Sequence, residues 1–298
     1  YGTTFTTKIS TIGAKPAGAF SFVGLADQVT FFDYALSQDQ VTQLGAEAGY
    51  AFDFDGVLGS NNQNIDINVS SPLSNNNFTT SFWLKPGGDG NGTTILFQLA
   101  TNNTYTDGIR LYQGAGNMTF WSGAGNAYTN IFGTINGLTN GSWQHIAITR
   151  RGLPGDSNNF NFYINGQLVQ IATYNPTPSF TSNSLFLGYP QYQQYNGEMS
   201  NFQLFNSGLP LTGTNSIQTL YNNGKPLSSM SGFTSLQGWW KLDNTATFNS
   251  GTSVWSIPDD STSSNTGTSV GMNASNLVAS NINGDLISNP MATSPKPI

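Results

Sequence analysis

The sequence predicts an all-β protein folded as a β-sandwich, and three observations lead to this prediction. Short runs that alternate apolar and polar residues recur at a spacing of roughly 8–12 residues, which is typical of sandwiches and jelly rolls. Only 8% of the 298 residues are charged, so Asn, Thr, Ser, Gln and Gly supply the polarity, and these residues favour turns and exposed strands over helices. Hydrophobic residues make up 37% and aromatic residues 13%, enough for a sandwich core.

The predicted strands are short and their side chains alternate between two faces. Clear alternation is found at residues 80–86, 108–112 and 118–121. The strongest local signal for a hairpin is the dipeptide Asn165-Gly166, which has an alternating run on either side. Because this dipeptide favours a two-residue turn, we expect a β-hairpin centred there.

Helical patterns are confined to two short segments. Residues 37–45 combine Ser37, a candidate N-cap, with Gln40 in capping-box spacing and a terminal Gly45. Residues 214–221 form a second candidate helix. Each spans about two turns, too short to be stable without packing against the rest of the protein.

A segment that occurs twice sets the predicted domain organisation. Residues 24–36 align without a gap to residues 197–209, at a separation of about one domain length. Self-similarity at this distance indicates a repeat array, so the chain is predicted to be a slice through similar modules. The predicted parts are a closing segment of a preceding repeat at 1–48, a central sandwich at 49–231, and a leading segment of a following repeat with an extended Pro-containing tail at 232–298.

Charge and composition argue against several classes of partner and chemistry. A net charge of −6 with nine Lys and Arg residues disfavours nucleic acid and anionic membranes as partners, since both favour basic surfaces. No apolar run approaches the roughly 20 residues of a membrane-spanning helix. The chain has no cysteine, so neither disulfides nor thiol chemistry are available.

Several motifs together resemble laminin-G-like, concanavalin-A-like jelly rolls. The segment at 141–150, with Trp143 and His145, is similar to the family's central Trp-x-His strand, and 162–166 to the strand that pairs with it. The family's opening segment is similar to residues 50–56 and 64–67, and its next strand is similar to residues 78–86. Its closing element is similar to two segments, 27–36 and 201–209. The resemblance covers about residues 50–230 and implies a concanavalin-A-like sandwich.

The flanking segments resemble one branch of such modules. A leading segment of such modules is similar to three stretches of this chain, 238–243, 255–259 and 266–278. The residue pattern of these stretches resembles tandem modules in structural proteins of marine phages and other aquatic viruses. In the family this leading strand precedes the sandwich, whereas here it follows. We therefore expect residues 238–243 to complete a sheet, either within the chain or in a neighbouring copy.

The sequence offers no convincing catalytic set. His145, the only histidine, falls in the middle of a predicted strand and is predicted to be structural. A glycosidase of this fold would need clustered acids, but Glu47 and Glu198 are the only glutamates and lie far apart in sequence. Asp53 and Asp55 are interpreted as an ordinary turn-entry pair. The chain is therefore predicted not to be an enzyme.

Two oxygen-rich loops are candidates for a calcium site. The resemblance implies calcium at a loop rim, and calcium binds several oxygen ligands. Asp89 and Asp107 are the first candidate ligands, while the alternative is that both loops are simply solvated.

A glycan site would need exposed aromatic rings beside amides. Trp121, Tyr128, Tyr192 and Tyr195 lie near Asn- or Gln-rich turns and are the candidate ligand-binding residues. The alternative is that these rings pack in the core or between subunits.

Two functions remain open from the sequence. The first is a non-enzymatic structural or adhesive component of an extracellular assembly, namely a virion surface protein such as a capsid decoration or fibre. Its partners would be copies of itself, other virion structural proteins and surface glycans. The alternative is a calcium-dependent carbohydrate-binding module of a secreted adhesin or polysaccharide-degrading enzyme.

Overall fold

The structure is a computed structural model of the whole chain. It describes Ala35 and residues 49–57, 62–69, 73, 77–88, 93–100, 108–114, 116–124, 127–152, 159–173, 184–189 and 194–282. The chain divides into two compact units, Tyr1–Gln43 and Leu44–Ile298, and all described residues except Ala35 belong to the second. The predicted helix at 37–45 and the first copy of the repeat therefore lie outside the described residues, apart from Ala35.

Eighteen strands are present in the described residues. Their bounds are β1 (Gly49–Asp55), β2 (Asn64–Asn68), β3 (Phe78–Pro86), β4 (Thr94–Ala100), β5 (Gly108–Gly114), β6 (Asn117–Ala124), β7 (Ala127–Asn130), β8 (Ile135–Asn136), β9 (Gln144–Arg150), β10 (Phe160–Ile164), β11 (Gln167–Ala172), β12 (Ser184–Gly188), β13 (Asn196–Phe205), β14 (Leu236–Trp240), β15 (Thr247–Asn249), β16 (Val254–Ile257), β17 (Gly267–Val270) and β18 (Leu277–Ser280).

These strands form two antiparallel sheets, which confirms the predicted all-β sandwich. The smaller sheet has eight strands in the order β11-β10-β9-β3-β13-β1-β18, with β14 also paired to β13. The larger sheet has ten strands in the order β15-β16-β17-β2-β12-β4-β5-β6-β7, with β8 also paired to β6. No strand of either sheet pairs in parallel among the described residues.

The main core lies between the two sheets and is rich in phenylalanine. Phe82 of β3 stacks on Phe202 of β13 with ring centroids 5.5 Å apart, and meets Phe97 of β4 edge-on at 5.7 Å. All three rings are fully buried, so they join the sheets across the sandwich. Aromatic pairs at these separations add roughly 0.5–1.5 kcal/mol each beyond the area they bury.

A second apolar layer covers part of the outer face of the smaller sheet. Residues 206–235 leave β13 and include one short helix, α1 (Ile217–Tyr221), whose Ser216 cap accepts a hydrogen bond from the Thr219 amide at 3.2 Å. The layer buries these residues together: Ala147, Tyr163, Phe205, Leu209, Ile217, Leu220, Met230, Phe233 and Trp239. The predicted helix at 214–221 is therefore present, and tertiary packing stabilises it.

The hairpin predicted at Asn165-Gly166 is confirmed and joins β10 to β11. Asn165 has φ 50° and Gly166 φ 70°, as a two-residue turn of type I′ requires. A Cβ atom on Gly166 would lie 2.9 Å from the ring of Tyr221, so the turn also packs closely against α1.

The C-terminal strands belong to the same sandwich. β14 pairs with Phe202–Phe205 of β13, β17 pairs with β2, and β18 pairs with β1. The leading-type strand expected to complete a sheet thus does so within the chain. The predicted boundary between residues 231 and 232 therefore divides segments that contribute strands to the same two sheets. The Pro-containing tail beyond residue 282 lies outside the described residues.

The Trp-rich motif of this segment has a structural role. Asp259 accepts hydrogen bonds from three backbone amides, those of Trp239 (2.9 Å), Ser261 (2.9 Å) and Asn265 (2.8 Å). The fully buried indole of Trp240 donates to the carbonyl of Asn265 at 2.7 Å. The motif therefore holds the loop after β16 against β14.

Candidate functional site

A row of polar and aromatic side chains crosses the outer face of the larger sheet. Register pairs join Asp66, Phe186, Gln98, Arg110 and Trp121, from β2, β12, β4, β5 and β6, into one line, called here the outer row. Their neighbours along each strand are buried in the main core: Ile65, Ile67, Leu185, Leu187, Phe97, Leu99, Ile109, Leu111 and Phe120. Because side chains alternate along a strand, the outer row faces away from the core.

Two aromatic rings lie side by side at the β5–β6 end of the row. Tyr112, on the same face as Arg110, meets Trp121 edge-on with ring centroids 6.3 Å apart. Arg110 donates from Nη1 to the Tyr112 hydroxyl at 3.2 Å, and the Trp121 indole donates to Thr119 Oγ1 at 3.2 Å. Tyr112 and Trp121 are both half-buried, so the pair is held in place yet remains partly open to solvent.

The centre of the row is buried although it faces outwards. Gln98 is 1% exposed, and Phe186 and Arg110 are also buried. Gln98 Oε1 has no hydrogen-bond partner within the described part of the chain. A buried amide oxygen without a partner is costly, by about 1–3 kcal/mol.

The β2 end of the row carries a carboxylate. Asn64 donates a hydrogen bond from Nδ2 to Asp66 Oδ1. Burial raises the pKa of Asp66, and the hydrogen bond from Asn64 opposes that rise. This end of the row is therefore polar but only partly solvated.

The structure places the four predicted aromatic residues differently. Trp121 lies in the outer row. Tyr128 lies in β7 with its backbone opposite Gly123, but its side chain is outside the described part, as is all of Tyr192. Tyr195 is only 1% exposed and is a core residue, which corrects its assignment to a glycan-binding surface.

The position of Tyr195 has a clear physical reason. Its hydroxyl donates towards the backbone carbonyls of Lys85 (3.2 Å) and Glu198 (3.0 Å), so the polar end of the ring is satisfied inside the protein. Burial raises the pKa of Tyr195 well above its usual value. Proximity to an amide-rich turn in the sequence did not reveal this burial.

Sequence reasoning missed Arg110, Tyr112 and Gln98 as members of the site. The alternation at residues 108–112 was a usable signal, because it places Arg110 and Tyr112 on the same face. Gln98 gave no such signal, since β4 is buried along its whole length.

A cluster of acidic side chains suited to calcium is not found in the described ranges. No group of three or more His, Asp or Glu side chains that could hold a metal ion is present there. Asp89 and Asp107 both lie outside those ranges, so the calcium site stays a prediction.

His145 lies inside the protein next to a serine. Ser81 Oγ is 2.7 Å from His145 Nε2, and both residues are fully buried. Burial lowers the pKa of His145 to about 3, so the imidazole is neutral at ordinary pH. A substrate has no access to this pair, and its arrangement fits the structural role predicted for His145.

The acidic pair Asp53 and Glu198 lies on neighbouring strands of the smaller sheet. Glu198 accepts from Lys85 Nζ at one oxygen and from Ser280 Oγ at the other, at 2.8 Å. The pKa of Asp53 is raised, first by burial and then by the charges of Glu198 and Asp55. Both Glu198 oxygens are thus held by the protein itself, and Glu47 lies outside the described residues.

Two packed antiparallel sheets of this kind define a jelly-roll type of sandwich, an architecture that lectin and capsid domains share. A family model described as the concanavalin A-like lectin/glucanases superfamily matches residues 59–212, just over half of the chain. The chain therefore belongs to the concanavalin A-like lectin/glucanase superfamily. A search of curated proteins gave no significant match.

Solved structures of similar fold come from different kinds of protein. A candidate carbohydrate-binding protein from Bacteroides ovatus matches with a TM-score of 0.52 and 16% identity, over 75% of this chain and 58% of that one. A heptameric pentraxin from Limulus polyphemus matches with a TM-score of 0.45 and 14% identity, over 58% and 82%. Domains LG4-5 of the mouse laminin alpha1 chain match at 0.40 and 13%, over 53% and 41%.

These likenesses are of fold. The match spans less than two thirds of the Bacteroides ovatus protein, so that protein's properties as a whole do not transfer to this chain. Among the described residues, no helix is long and apolar enough to cross a bilayer.

Proposed function

We propose that this chain is a non-enzymatic carbohydrate-binding module whose sugar site is the Tyr112–Trp121 end of the outer row. One observation carries the proposal: two half-exposed rings lie edge to face at 6.3 Å beside a guanidinium group. An aromatic face offers a sugar ring an apolar platform, while a few polar groups beside it fix its orientation. Arg110 donates to the Tyr112 hydroxyl and so holds that ring in position beside Trp121.

The chemistry of the outer row supports binding without catalysis. A glycosidase uses two carboxylates that lie roughly 5–9.5 Å apart on either side of the bond. Asp66 is the one carboxylate of the outer row, and it lies four strands away from Trp121. At about 4.8 Å per strand this separation is roughly 19 Å, too far to act on a sugar held by the two rings.

The Bacteroides ovatus protein of similar fold, itself described as a candidate carbohydrate-binding protein, supports the same class of function. Calcium belongs to the proposal as well. If binding depends on it, Asp89 and Asp107 are the ligands that we expect.

The test is a glycan array probed with the full chain, followed by calorimetry on any glycan retained. Trp121→Ala should weaken binding by roughly tenfold, because an aromatic contact contributes about 1.5 kcal/mol. The matched control is Trp143→Ala, since Trp143 is also half-buried but lies outside the outer row. Chelator should abolish binding if calcium is required.

Two results would contradict this function. One is equal affinity of the Trp121→Ala variant and the unaltered chain. The other is a loss of affinity with Trp143→Ala that matches the loss with Trp121→Ala, because binding would then depend on general stability.

We propose as a second candidate a structural role in an extracellular assembly, such as a virion surface. The observation that favours this role is the repeated segment. Residues 197–209 form most of strand β13 and its continuation, and residues 24–36 have the same sequence pattern. Antibody labelling of purified virus particles in the electron microscope would test this role. A gene that neighbours no capsid or portal genes, together with unlabelled particles, would count against it.

A further inference from the structure

The β11 edge of the smaller sheet carries an inference about assembly that is independent of glycan binding. β11 is the last strand of that sheet and pairs only with β10 among the described strands. Of the five large hydrophobic side chains that are exposed in the described residues, three lie on β11: Leu168 (42%), Val169 (44%) and Ile171 (43%). Within the described part of the chain, exposed apolar side chains are thus concentrated on an edge strand.

The other sheet edges are less suited to pairing. β18 and β7 have four residues each, β15 has three and β8 has two, whereas β11 has six. β14, with five residues, also pairs with a single strand, but Asp259 and Asp260 already bond the backbone amide and carbonyl of its Trp239. Proteins commonly protect long edges with lysine, proline or inward-facing charges. β11 contains none of these residues, and the whole hairpin from Phe160 to Ala172 carries no charged side chain.

A register shift in the hairpin aligns the apolar side chains. Tyr163 pairs with Leu168, and Asn161 pairs with Ile171. One residue separates the two positions on β10 and two residues separate them on β11, so β11 contains one extra residue. Tyr163 belongs to the outer apolar layer, which places Leu168 and Ile171 together on the outer face of the sheet. Without the shift, side chains three residues apart would point to opposite faces.

We propose that β11 pairs antiparallel with β11 of a second copy of this chain, across a two-fold axis between Val169 and Gln170. Leu168 then lies opposite the partner's Ile171, and Ile171 lies opposite the partner's Leu168. Both contacts are apolar and on the same face, so the strand is complementary to itself, as an isologous interface requires. The smaller sheets of the two copies become one continuous sheet.

The absence of charge on the hairpin and the length of β11 determine how stable the dimer should be and how it should respond to salt. No like charges on the hairpin oppose each other across the axis, so salt should have little effect on association. A standard stable interface buries about 1,600 Å² in total, and pairing of six residues is at the small end of this range. The dimer should therefore be reversible, with dissociation at roughly micromolar concentrations.

Sedimentation velocity of the full chain between about 1 and 300 µM tests the proposal. The unaltered chain, of 31.9 kDa, should shift from monomer to twice that mass as the concentration rises. The Leu168→Lys/Ile171→Lys variant should remain monomeric over the whole range. The control is Val270→Lys, which adds charge at a site of equal exposure (45%) on β17, a strand with a neighbour on either side.

Cysteine pairing tests the register, because the chain has no cysteine of its own. Uniformly ¹⁵N-labelled Leu168→Cys chains are mixed in equal amounts with unlabelled Ile171→Cys chains and oxidised with diamide, and mass spectrometry separates the mixed dimer from the two homodimers by the label. The mixed dimer should make up clearly more than the half of all disulfide-linked dimers that random pairing gives, whereas Leu168→Cys mixed with Val270→Cys should show no such excess. Monomeric unaltered chain at 300 µM, a dimer that survives both lysines, or a random distribution of disulfides would overturn the proposal.

Discussion

Replacing His145 with Gln should make the stability of this protein less sensitive to acid. His145 is fully buried next to Ser81, and burial lowers its pKa from the usual 6.5 to about 3. Below pH 6.5 the unfolded chain binds a proton that the folded chain does not. The contribution of His145 to stability is therefore complete above pH 6.5 and is lost as the pH falls towards 3.

The magnitude follows from the separation of the two pKa values. Well inside that window each pH unit costs about 1.4 kcal/mol, so a drop from pH 6.5 to pH 4.5 costs roughly 2 kcal/mol. This is a large fraction of the roughly 5–15 kcal/mol that stabilises a typical domain. The raised pKa values of Asp53 and Asp66 act in the opposite direction, because those carboxyls favour the folded state when they are protonated.

The assay is urea unfolding at pH 7.0 and pH 4.5. The free energy of unfolding should fall by roughly 2–3 kcal/mol more in the unaltered protein than in His145→Gln. Ser81→Ala is the matched control, since it removes the neighbouring hydroxyl and leaves the titrating imidazole in place. Because the chain has one histidine, its imidazole signal in an NMR titration is identified without assignment.

Two outcomes would refute this reasoning. One is an equal loss of stability in the unaltered protein and in His145→Gln between the two pH values. The other is an imidazole signal that titrates near pH 6.5 in the folded protein, because the ring would then be solvated.

Three further predictions concern stability and use the same unfolding assay. Trp240→Ala should cost about 3–5 kcal/mol, because it leaves a cavity and removes the bond to Asn265; a cost below 1 kcal/mol would contradict its role in the core. Asp259→Asn should cost about 1.5–3 kcal/mol, because the charged acceptor of three amides is lost, and an unchanged midpoint would contradict this. Asp53→Asn should stabilise the protein at pH 7 and less so at pH 3, where Asp53 is protonated near Glu198; the reverse order would contradict the raised pKa.

Patterns within one strand or turn were predictable because they depend on near neighbours in the chain. The hairpin at Asn165-Gly166 follows from the φ > 0 that its turn requires at both residues. The short helix near residue 217 follows from a capping serine and two buried apolar residues, although its first turn begins later than expected. Trp121 was a candidate because it lies near an Asn-rich turn, and the structure places it in the outer row.

The candidate site was only partly predictable because its members come from different strands. Gln98 and Arg110 are twelve residues apart in sequence, and only the pairing of β4 with β5 makes them neighbours. Tyr195 was predicted to be exposed, but the carbonyls that accept its hydroxyl lie at Lys85 and Glu198. No local sequence pattern predicts a hydrogen-bond partner that is distant in the chain.

The sequence by itself determined the class of fold, since alternation along each strand decides which side chains face a core. It also determined the uncharged character of the hairpin that ends in β11. Only the tertiary structure decided that β14 to β18 complete both sheets within the chain, and that Trp121 stands beside Tyr112 and Arg110. The physical reason is that strand pairing joins residues far apart in the chain, through backbone hydrogen bonds that every sequence can make.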